Sequence, residues 1–375
     1  MEIWIDASGL SAAHRAGCRE AQSYGRAMIR SLLESGREHD YRFVGWPLRE
    51  LGSVERFLAP LSRDARDRLS QPRRSPGPWA LYSPIGFPRV EEKGLRPCQG
   101  EPPAIRIATI LEERPRALER SATTVVTLTR SAMDSLAAQT PHREWDLRWV
   151  PPGLGVHGLL RVESQHVQLP EGDYVLASGV HSADPPESLA AVWRILKAFR
   201  SFRRASGKRL RLVFLGGAPL ALRQAAACLG LAKEVSFVST GFDDEFTRQR
   251  LIASAAAFVH VTRPDASWLL GAEAMRSGVP VLAPRTASAE EVWGEAAAHF
   301  AEGSTLEISR GLERLFSSDD LRRSLAKSGI ARGQAFTWEA AAHRILDCVQ
   351  SSTSKSDVQK PVTDWIPRSA VAAAG

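Results

Sequence analysis

The stretch RPDASWLLGAEAMRSGVPVLAP, residues 263–284, decides the fold of this chain. An apolar run at 257–261 precedes it and predicts a buried strand that leads into a polar loop. Ser267 is a suitable N-cap for a helix over Trp268–Ser277, and Gly278 is a natural C′ residue after its last turn. A second apolar run follows at once. This order of strand, loop, capped helix and strand predicts one unit of a parallel α/β sheet.

Two acidic residues stand in this unit at a spacing that allows both to face one crevice. Asp265 lies in the loop and Glu273 in the helix, eight positions further on. Eight helical positions span about 12 Å, but with Asp265 in the loop both carboxylates can face the space beyond the strand ends. The N–H groups at the helix start, those of Trp268, Leu269 and Leu270, point to the same space and suit a phosphate. From the spacing alone, a solvated helix residue and a loop acid remain the alternative.

Outward from this unit, the chain contains two strand–helix–strand starts, which predict two domains. The first start is Glu2–Asp6 with a helical pattern through 21–35, and the second is DYVLASG at 173–179 with a helix over 186–204. A chain of 375 residues is also longer than one hydrophobic core usually serves. The predicted division is an N-terminal domain over 1–165, a C-terminal domain over 166–350 and a tail over 351–375.

The composition is that of a soluble globular protein, with 43% hydrophobic and 24% charged residues. It excludes a collagen, a coiled coil and a mainly disordered chain. No run approaches 18 apolar residues, which argues against a membrane span. The N-terminus is too acidic, and its apolar stretch too short, for a signal peptide. We therefore expect a cytoplasmic protein.

The spacing of the cysteines, the absence of several catalytic motifs and the net charge limit the kinds of site that this protein can contain. Four cysteines lie far apart, without zinc-ligand spacing, and the chain contains no GxSxG, HExxH or Walker motif. We therefore expect no bound metal. The formal charge of +7 favours anionic partners such as nucleotide phosphates, acidic lipid surfaces or nucleic acid. A basic stretch at 194–211 fits the same partners or a solvated helix end.

Several further motifs stand in a recognisable order along the chain. Glu273-Ala274-Met275 and Ser277–Val281 provide an EAM and an SGVPV element, and Asp265 precedes Glu273 as the first acid of an x7-spaced pair. The other motifs are VVTLTRSAMDSL at 125–136, RWVPPG at 148–153, RLVFLG at 211–216 and FTWE at 336–339. In sequence and order these motifs resemble those of the retaining glycosyltransferases of the GT4 type, and the resemblance covers most of the chain.

The resemblance implies an α/β protein with the GT-B fold: two Rossmann-like domains whose parallel sheets face each other across a cleft. It implies an acceptor-binding N-terminal domain and a C-terminal domain that binds a nucleotide-diphosphate sugar as co-substrate, with no cofactor or metal. It assigns Glu273 to the ribose hydroxyls and Asp265, as a catalytic residue, to the transferred sugar. Glu112 follows the strand at 105–111, where the family carries His-Asp, and is the second catalytic candidate.

The donor site departs from the family pattern. The loop at 179–187 lacks the Lys/Arg pair that grips the diphosphate in the family, so His181, Arg263 or an arginine of the N-terminal domain would have to replace it. Trp268 stands where the family has small residues, so we expect it to narrow or reshape the sugar pocket. The residues assigned to donor binding are Glu273, Trp268, Leu269, Leu270, Gly216, Gly217, His181 and Arg263.

These features predict a retaining glycosyltransferase that moves a sugar from a nucleotide-diphosphate sugar to an unknown acceptor. The acceptor classes left open are a glycan, a lipid-linked molecule, a small molecule and modified DNA, with or without peripheral membrane contact. One alternative is a catalytically degenerate pseudoenzyme that keeps the fold as a binding partner, because the diphosphate grip is missing. Another is a glycosyltransferase acting on modified DNA, which the positive charge would favour.

Overall fold

The computed structural model describes residues 2–10, 13, 19–44, 79–85, 105–111, 123–155, 170, 172–179, 186–216, 220–238, 245–261 and 268–351. The chain divides into two compact units. The first comprises Met1–Arg15, Ala21–Leu160 and Phe336–Gly375, and the second comprises Ala16–Glu20 and Arg161–Ala335. Each unit contains a sheet of six strands, and every pair of neighbouring strands is parallel. The predicted α/β class with parallel sheets is confirmed.

The described residues of the first unit form six strands. They are β1 (Glu2–Asp6), β2 (Asp40–Val44), β3 (Trp79–Ser83), β4 (Ile105–Ile110), β5 (Thr124–Thr127) and β6 (Asp146–Trp149), in the spatial order β2-β1-β3-β4-β5-β6. The helices described in this unit are α1 (Arg19–Ser35), α2 (Arg130–Gln139) and, by whole-chain numbering, α10 (Trp338–Ser351). Ile3 and Ile5 of β1 are fully buried, as expected for a parallel sheet covered on its faces.

A tyrosine hydroxyl closes the carboxyl end of α1. Tyr24, Met28 and Leu32 form part of the buried face of this helix. The Tyr41 hydroxyl, on β2, lies 2.9 Å from the Leu32 carbonyl and 3.1 Å from the Gly36 carbonyl. Both carbonyls also accept a backbone N–H, Leu32 from Gly36 over 2.9 Å and Gly36 from His39 over 3.2 Å, so the hydroxyl adds a second partner at the end of this helix.

Helix α10 returns to the first unit at the end of the chain. The Trp338 indole N–H donates to the Gly155 carbonyl over 2.9 Å, and its ring lies 5.7 Å from that of Tyr24. Any side chain at Gly153 would overlap the Trp338 ring. The division drawn from the sequence, with a boundary at 350, places this helix in the second domain instead. The difference arises because these tertiary contacts are made by residues far apart in the sequence.

The described residues of the second unit form six more strands. They are β7 (Tyr174–Ser178), β8 (Arg211–Leu215), β9 (Val235–Val238), β10 (Ala257–Val259), β11 (Val281–Pro284) and β12 (Ala297–Phe300), in the order β12-β11-β10-β7-β8-β9. The helices are α3 (Pro186–Ser206), α4 (Leu220–Cys228), α5 (Glu245–Ala253), α6 (Trp268–Arg276), α7 (Ala287–Val292), α8 (Thr305–Ser317) and α9 (Asp319–Gly333).

The strand order of the second unit places a topological switch between β7 and β10. From β7 the chain proceeds to β8 and β9 on one side of the sheet, and then to β10, β11 and β12 on the other. In open parallel sheets, ligands bind beyond the carboxyl ends of the strands at such a switch. The segments that follow β7 and β10 are therefore where a ligand of this unit is expected.

Candidate active site

Helix α6, the helix predicted from the opening sequence stretch, follows β10 at this switch. Its carboxyl end has the hydrogen bonds of a Schellman motif: Gly278 N–H donates to the Met275 carbonyl and Val279 N–H to the Ala274 carbonyl, each over 3.0 Å. Gly278 has a φ of 77°, which a residue with a side chain rarely adopts. The predicted C′ role of this glycine is confirmed.

The helix is enclosed by side chains on nearly all sides. Every residue of α6 from Trp268 to Met275 is buried. A Cβ on Gly271 would lie 2.8 Å from a Phe258 ring carbon and 2.9 Å from a Trp293 ring carbon. Across the neighbouring helix α9, a Cβ on Gly329 would lie 2.9 Å from the Met275 carbonyl oxygen. Close packing on both sides therefore fixes the position of α6.

Glu273 is the charged residue of this buried part of α6, and it pairs with Arg248 of α5. Arg248 Nη1 donates to Glu273 Oε2 over 2.6 Å, and Nη2 donates to Oε1 over 2.8 Å. The two side chains are only 7% and 10% exposed. A buried carboxylate is tolerated when a cation and hydrogen bonds compensate it, and the parallel two-bond geometry provides both. Glu273 is thus not a solvated helix residue, and that alternative is wrong.

Arg248 was not among the residues singled out from the sequence, although one signal was present. Leu251 and Ile252 stand three and four positions after Arg248 and are fully buried. Residues at that spacing share a face of a helix, so Arg248 belongs to the apolar stripe of α5. An arginine within an apolar stripe is buried at a cost unless it meets an acid.

The side chains of Trp268, Leu269 and Leu270 contribute to the core at the start of α6. Their residues are 7%, 5% and 0% exposed, respectively. Trp268 is thus mainly a packing residue in the structure. The assignment of the three backbone N–H groups to a donor diphosphate stays a prediction.

Gly216 stands at the carboxyl end of β8, beside the end of β7. Its N–H donates to the Val238 carbonyl over 2.8 Å, and Gly179 N–H donates to the Leu215 carbonyl over 2.9 Å. A Cβ on Gly179 would lie 3.1 Å from the Gly216 Cα, so the two backbones are in close contact. Gly216 therefore lies at the edge of the sheet where a ligand is expected, and its donor-binding role stays a prediction.

Five of the sequence-assigned site residues lie outside the described residues: Asp265, Glu112, Gly217, His181 and Arg263. Their assigned roles stay predictions. Within the described ranges, no three His, Cys, Asp or Glu side chains are grouped as they would be around a metal ion. None of the described helices is both long and apolar enough to cross a lipid bilayer.

The basic stretch at the end of α3 contacts groups of its own unit. Arg203 Nη1 lies 2.9 Å from Glu234 Oε1. Lys208 Nζ donates to the Phe316 carbonyl over 2.6 Å, and Lys197 Nζ lies 5.2 Å from the centre of the Trp193 ring. Part of this charge is therefore used within the fold.

Comparison with known proteins agrees with this architecture. The family described as Glycosyl transferases group 1 matches residues 190–332. No curated protein matches the chain in sequence. Among solved structures, a glycosyltransferase from Rickettsia africae ESF-5 superposes with a TM-score of 0.63 at 12% identity, covering 95% of this chain and 99% of that one.

Two further structures have the same fold. WaaG, a glycosyltransferase involved in lipopolysaccharide biosynthesis, has a TM-score of 0.57 at 14% identity, covering 93% of this chain and 99% of its own. Anabaena HepE, solved in complex with UDP and glucose, has a TM-score of 0.58 at 12% identity, covering 94% and 100%. At these identities the likeness shows the fold alone. The chain therefore has the GT-B fold, and its residues 190–332 are similar to the family of group 1 glycosyl transferases.

Proposed function

We propose that this chain is a retaining glycosyltransferase that takes its sugar from a nucleotide-diphosphate sugar. The observation that carries the proposal is the buried, ion-paired carboxylate of Glu273 on α6, in a group 1 domain and next to the switch point of its sheet. A structural neighbour, Anabaena HepE, holds UDP and glucose. The resemblance to GT4-type enzymes supports a donor site at the same helix.

In the proposed mechanism, Glu273 accepts hydrogen bonds from the ribose hydroxyls of the donor. Asp265 lies beside the sugar and stabilises the positive charge that develops at the anomeric carbon. The start of α6 faces the diphosphate and stabilises its growing negative charge. The bond from the anomeric carbon to the diphosphate oxygen breaks, and the acceptor oxygen bonds to the same face of the sugar. The acceptor proton passes to the departing phosphate, so neither a protein nucleophile nor a metal is required.

The test measures release of the nucleoside diphosphate from five sugar nucleotides. The five contain UDP, GDP, ADP, CDP and TDP, respectively. Nuclear magnetic resonance of the freed or transferred sugar records the anomeric configuration as it forms. We expect turnover of one donor with retained configuration, and no loss of rate with a metal chelator. Inverted configuration, or dependence on an added divalent cation, would contradict the mechanism.

Two variants separate the proposed roles. Glu273→Ala should raise KM for the donor, since the ribose contact is lost, whereas Asp265→Ala should mainly lower kcat. Glu234→Ala removes a carboxylate of the same unit that pairs with Arg203 at the other edge of the sheet, and it should change neither constant. Similar increases in donor KM from both active-site variants would contradict the division of roles.

A pseudoenzyme is the second candidate, and one observation favours it. Both oxygens of Glu273 already accept hydrogen bonds from Arg248. If this pair had replaced the ribose, the fold would persist without donor binding. The pseudoenzyme predicts that none of the five nucleoside diphosphates binds and that no sugar nucleotide is hydrolysed. The same assay, together with a binding titration of the five nucleoside diphosphates, therefore decides between the two.

A further inference from the structure

The contact between Arg248 and Glu273 has a defined geometry. Each terminal nitrogen of the guanidinium faces a different carboxylate oxygen, at 2.6 Å and 2.8 Å, so the two planar groups meet end to end. The partners come from two helices, α5 and α6, 25 positions apart in the chain. A lysine could not reproduce this contact, because an ammonium group is a single point charge and lacks the planar fork.

Because Glu273 is buried, its pairing with Arg248 affects whether its carboxyl group is ionised or protonated. A carboxylate that is nearly inaccessible to water and has no cation beside it tends to take up a proton. A protonated carboxyl group has one donor and fewer acceptor sites than a carboxylate, so it is a poorer partner for two hydroxyl groups. An arginine stays charged in proteins. Arg248 thus favours the ionised form of Glu273 and holds both of its oxygens in one orientation.

An ionised carboxylate has about four acceptor sites on its two oxygens, so an arginine fork and a pair of hydroxyl groups can be accepted together. We propose that Arg248 is a positioning residue for donor recognition, which presents the ionised Glu273 carboxylate to the ribose hydroxyls of the nucleotide. This inference rests on the proposed function, because Glu273 must bind the ribose. It goes further by assigning the selectivity for a ribose diol to a pair of residues.

A competing arrangement makes the opposite prediction. If Arg248 had to leave Glu273 before the ribose could bind, then removing the arginine would strengthen nucleotide binding. If the pair served only to hold α5 against α6, removing it would lower stability and leave ribose selectivity in the folded protein unchanged. The sign of the effect on selectivity therefore separates the three arrangements.

The experiment uses calorimetric titration of the full chain with the nucleoside diphosphate that binds best among UDP, GDP, ADP, CDP and TDP. The measured quantity is the ratio of the Kd of its 3′-deoxy analogue to the Kd of the parent nucleotide. The proteins are the wild type, Arg248→Met, Arg248→Lys, Glu273→Gln and the Arg248→Met/Glu273→Gln double variant. Arg203→Met is the matched control, because it breaks another Arg–Glu pair of the same unit.

We expect the wild type and Arg203→Met to prefer the parent nucleotide by about 10- to 100-fold, the range for a hydrogen bond to a charged group. Arg248→Met and Glu273→Gln should each bring the ratio close to one, and the double variant should show no further loss. Arg248→Lys should give an intermediate ratio, and it decides the outcome if Arg248→Met does not fold.

Two results would overturn the inference while leaving the proposed function intact: tighter binding by the Arg248 variants, or an unchanged ratio in them. A wild type that binds a nucleotide without ribose selectivity would overturn the inference together with the ribose contact proposed for Glu273. A wild type that binds none of the five nucleoside diphosphates would instead refute the proposed function, and the inference with it.

Discussion

Two Arg–Glu pairs of the second unit lie in different places, one at the amino ends of its strands and one on helices that follow the carboxyl ends. The two pairs differ in contact geometry and in burial. Arg203, in the last turn of α3, meets Glu234, just before β9, through one contact of 2.9 Å, with side chains 23% and 29% exposed. Arg248 and Glu273 make two contacts, and their side chains are 7% and 10% exposed. The first pair lies at the amino edge, and the second is carried by helices that follow the carboxyl ends of β9 and β10.

The difference in burial shows which of the two pairs costs free energy to form. A partly exposed pair in contact with water contributes little to stability, because solvent already stabilises both ions. A buried pair gives no assured gain in stability over apolar residues, since both ions must first lose their water. Charge that is buried at such a cost, beside the strand ends where a ligand is expected, is therefore a better sign of function than of stability.

The largest effect should come from removing one member of the buried pair. Glu273→Ala removes the carboxylate that pairs with the buried Arg248 guanidinium, and we expect the free energy of unfolding to fall by about 3–5 kcal/mol. Glu234→Ala should cost no more than about 1 kcal/mol. Urea denaturation of both variants measures the difference. Equal losses of stability would contradict the claim that the two pairs differ in their energetic role.

Replacing the buried pair by apolar side chains should separate stability from function. In Arg248→Met/Glu273→Leu no charge is left unpaired, so we expect most of the loss seen in Glu273→Ala, about 3 kcal/mol, to be recovered. Nucleotide binding should stay weak because the carboxylate is gone. Urea denaturation and calorimetric titration measure the two properties on the same sample. A double variant that is as unstable as Glu273→Ala would show that the pair itself holds α5 and α6 together.

A glycine stands close to each pair, and the two should respond differently to alanine. Gly271→Ala forces a methyl group against the Phe258 and Trp293 rings, and we expect a cost of about 1–3 kcal/mol together with weaker nucleotide binding as α6 shifts. Gly207, at the end of α3, has a φ of 66° with nothing near its added Cβ. Gly207→Ala should cost about 1–2 kcal/mol through backbone strain alone and leave nucleotide binding unchanged. Loss of nucleotide binding in both variants would contradict the claim that only the glycine of α6 affects the binding site.

The smallest effect should be the change in stability that the partly exposed pair, Arg203 and Glu234, causes as the pH falls. The hydrogen bond from Arg203 is the main cause that lowers the pKa of Glu234 below its ordinary 4.5. Since the pKa is lower in the folded state, the contribution of the pair is present above 4.5 and is lost as the pH falls through the lowered value. The difference in unfolding free energy between wild type and Arg203→Met, at most about 1 kcal/mol, should therefore shrink between pH 6 and pH 3. A gap that widens in acid would contradict this assignment.

Local sequence signals predicted much of the α6 region. The predicted helix over Trp268–Ser277 is observed as Trp268–Arg276, and Gly278 ends it with the expected backbone conformation. Such features depend on residues a few positions apart. The partner of Glu273 could not be predicted in the same way, because helical spacing shows only that Arg248 is on a buried face, and the acid it meets lies on another helix. The position of α10 escaped prediction for the same reason.

The most direct test of the central claim, that Glu273 is the donor-binding carboxylate, is a thermal-shift measurement with UDP, GDP, ADP, CDP and TDP. A ligand at about 100 times its Kd adds roughly 2.7 kcal/mol to the stability of the folded state. We predict that one nucleotide raises Tm in the wild type and in Glu234→Gln, and raises it much less in Glu273→Gln. A wild type that responds to none of the five, or a Glu273→Gln variant that responds as the wild type does, would contradict the claim.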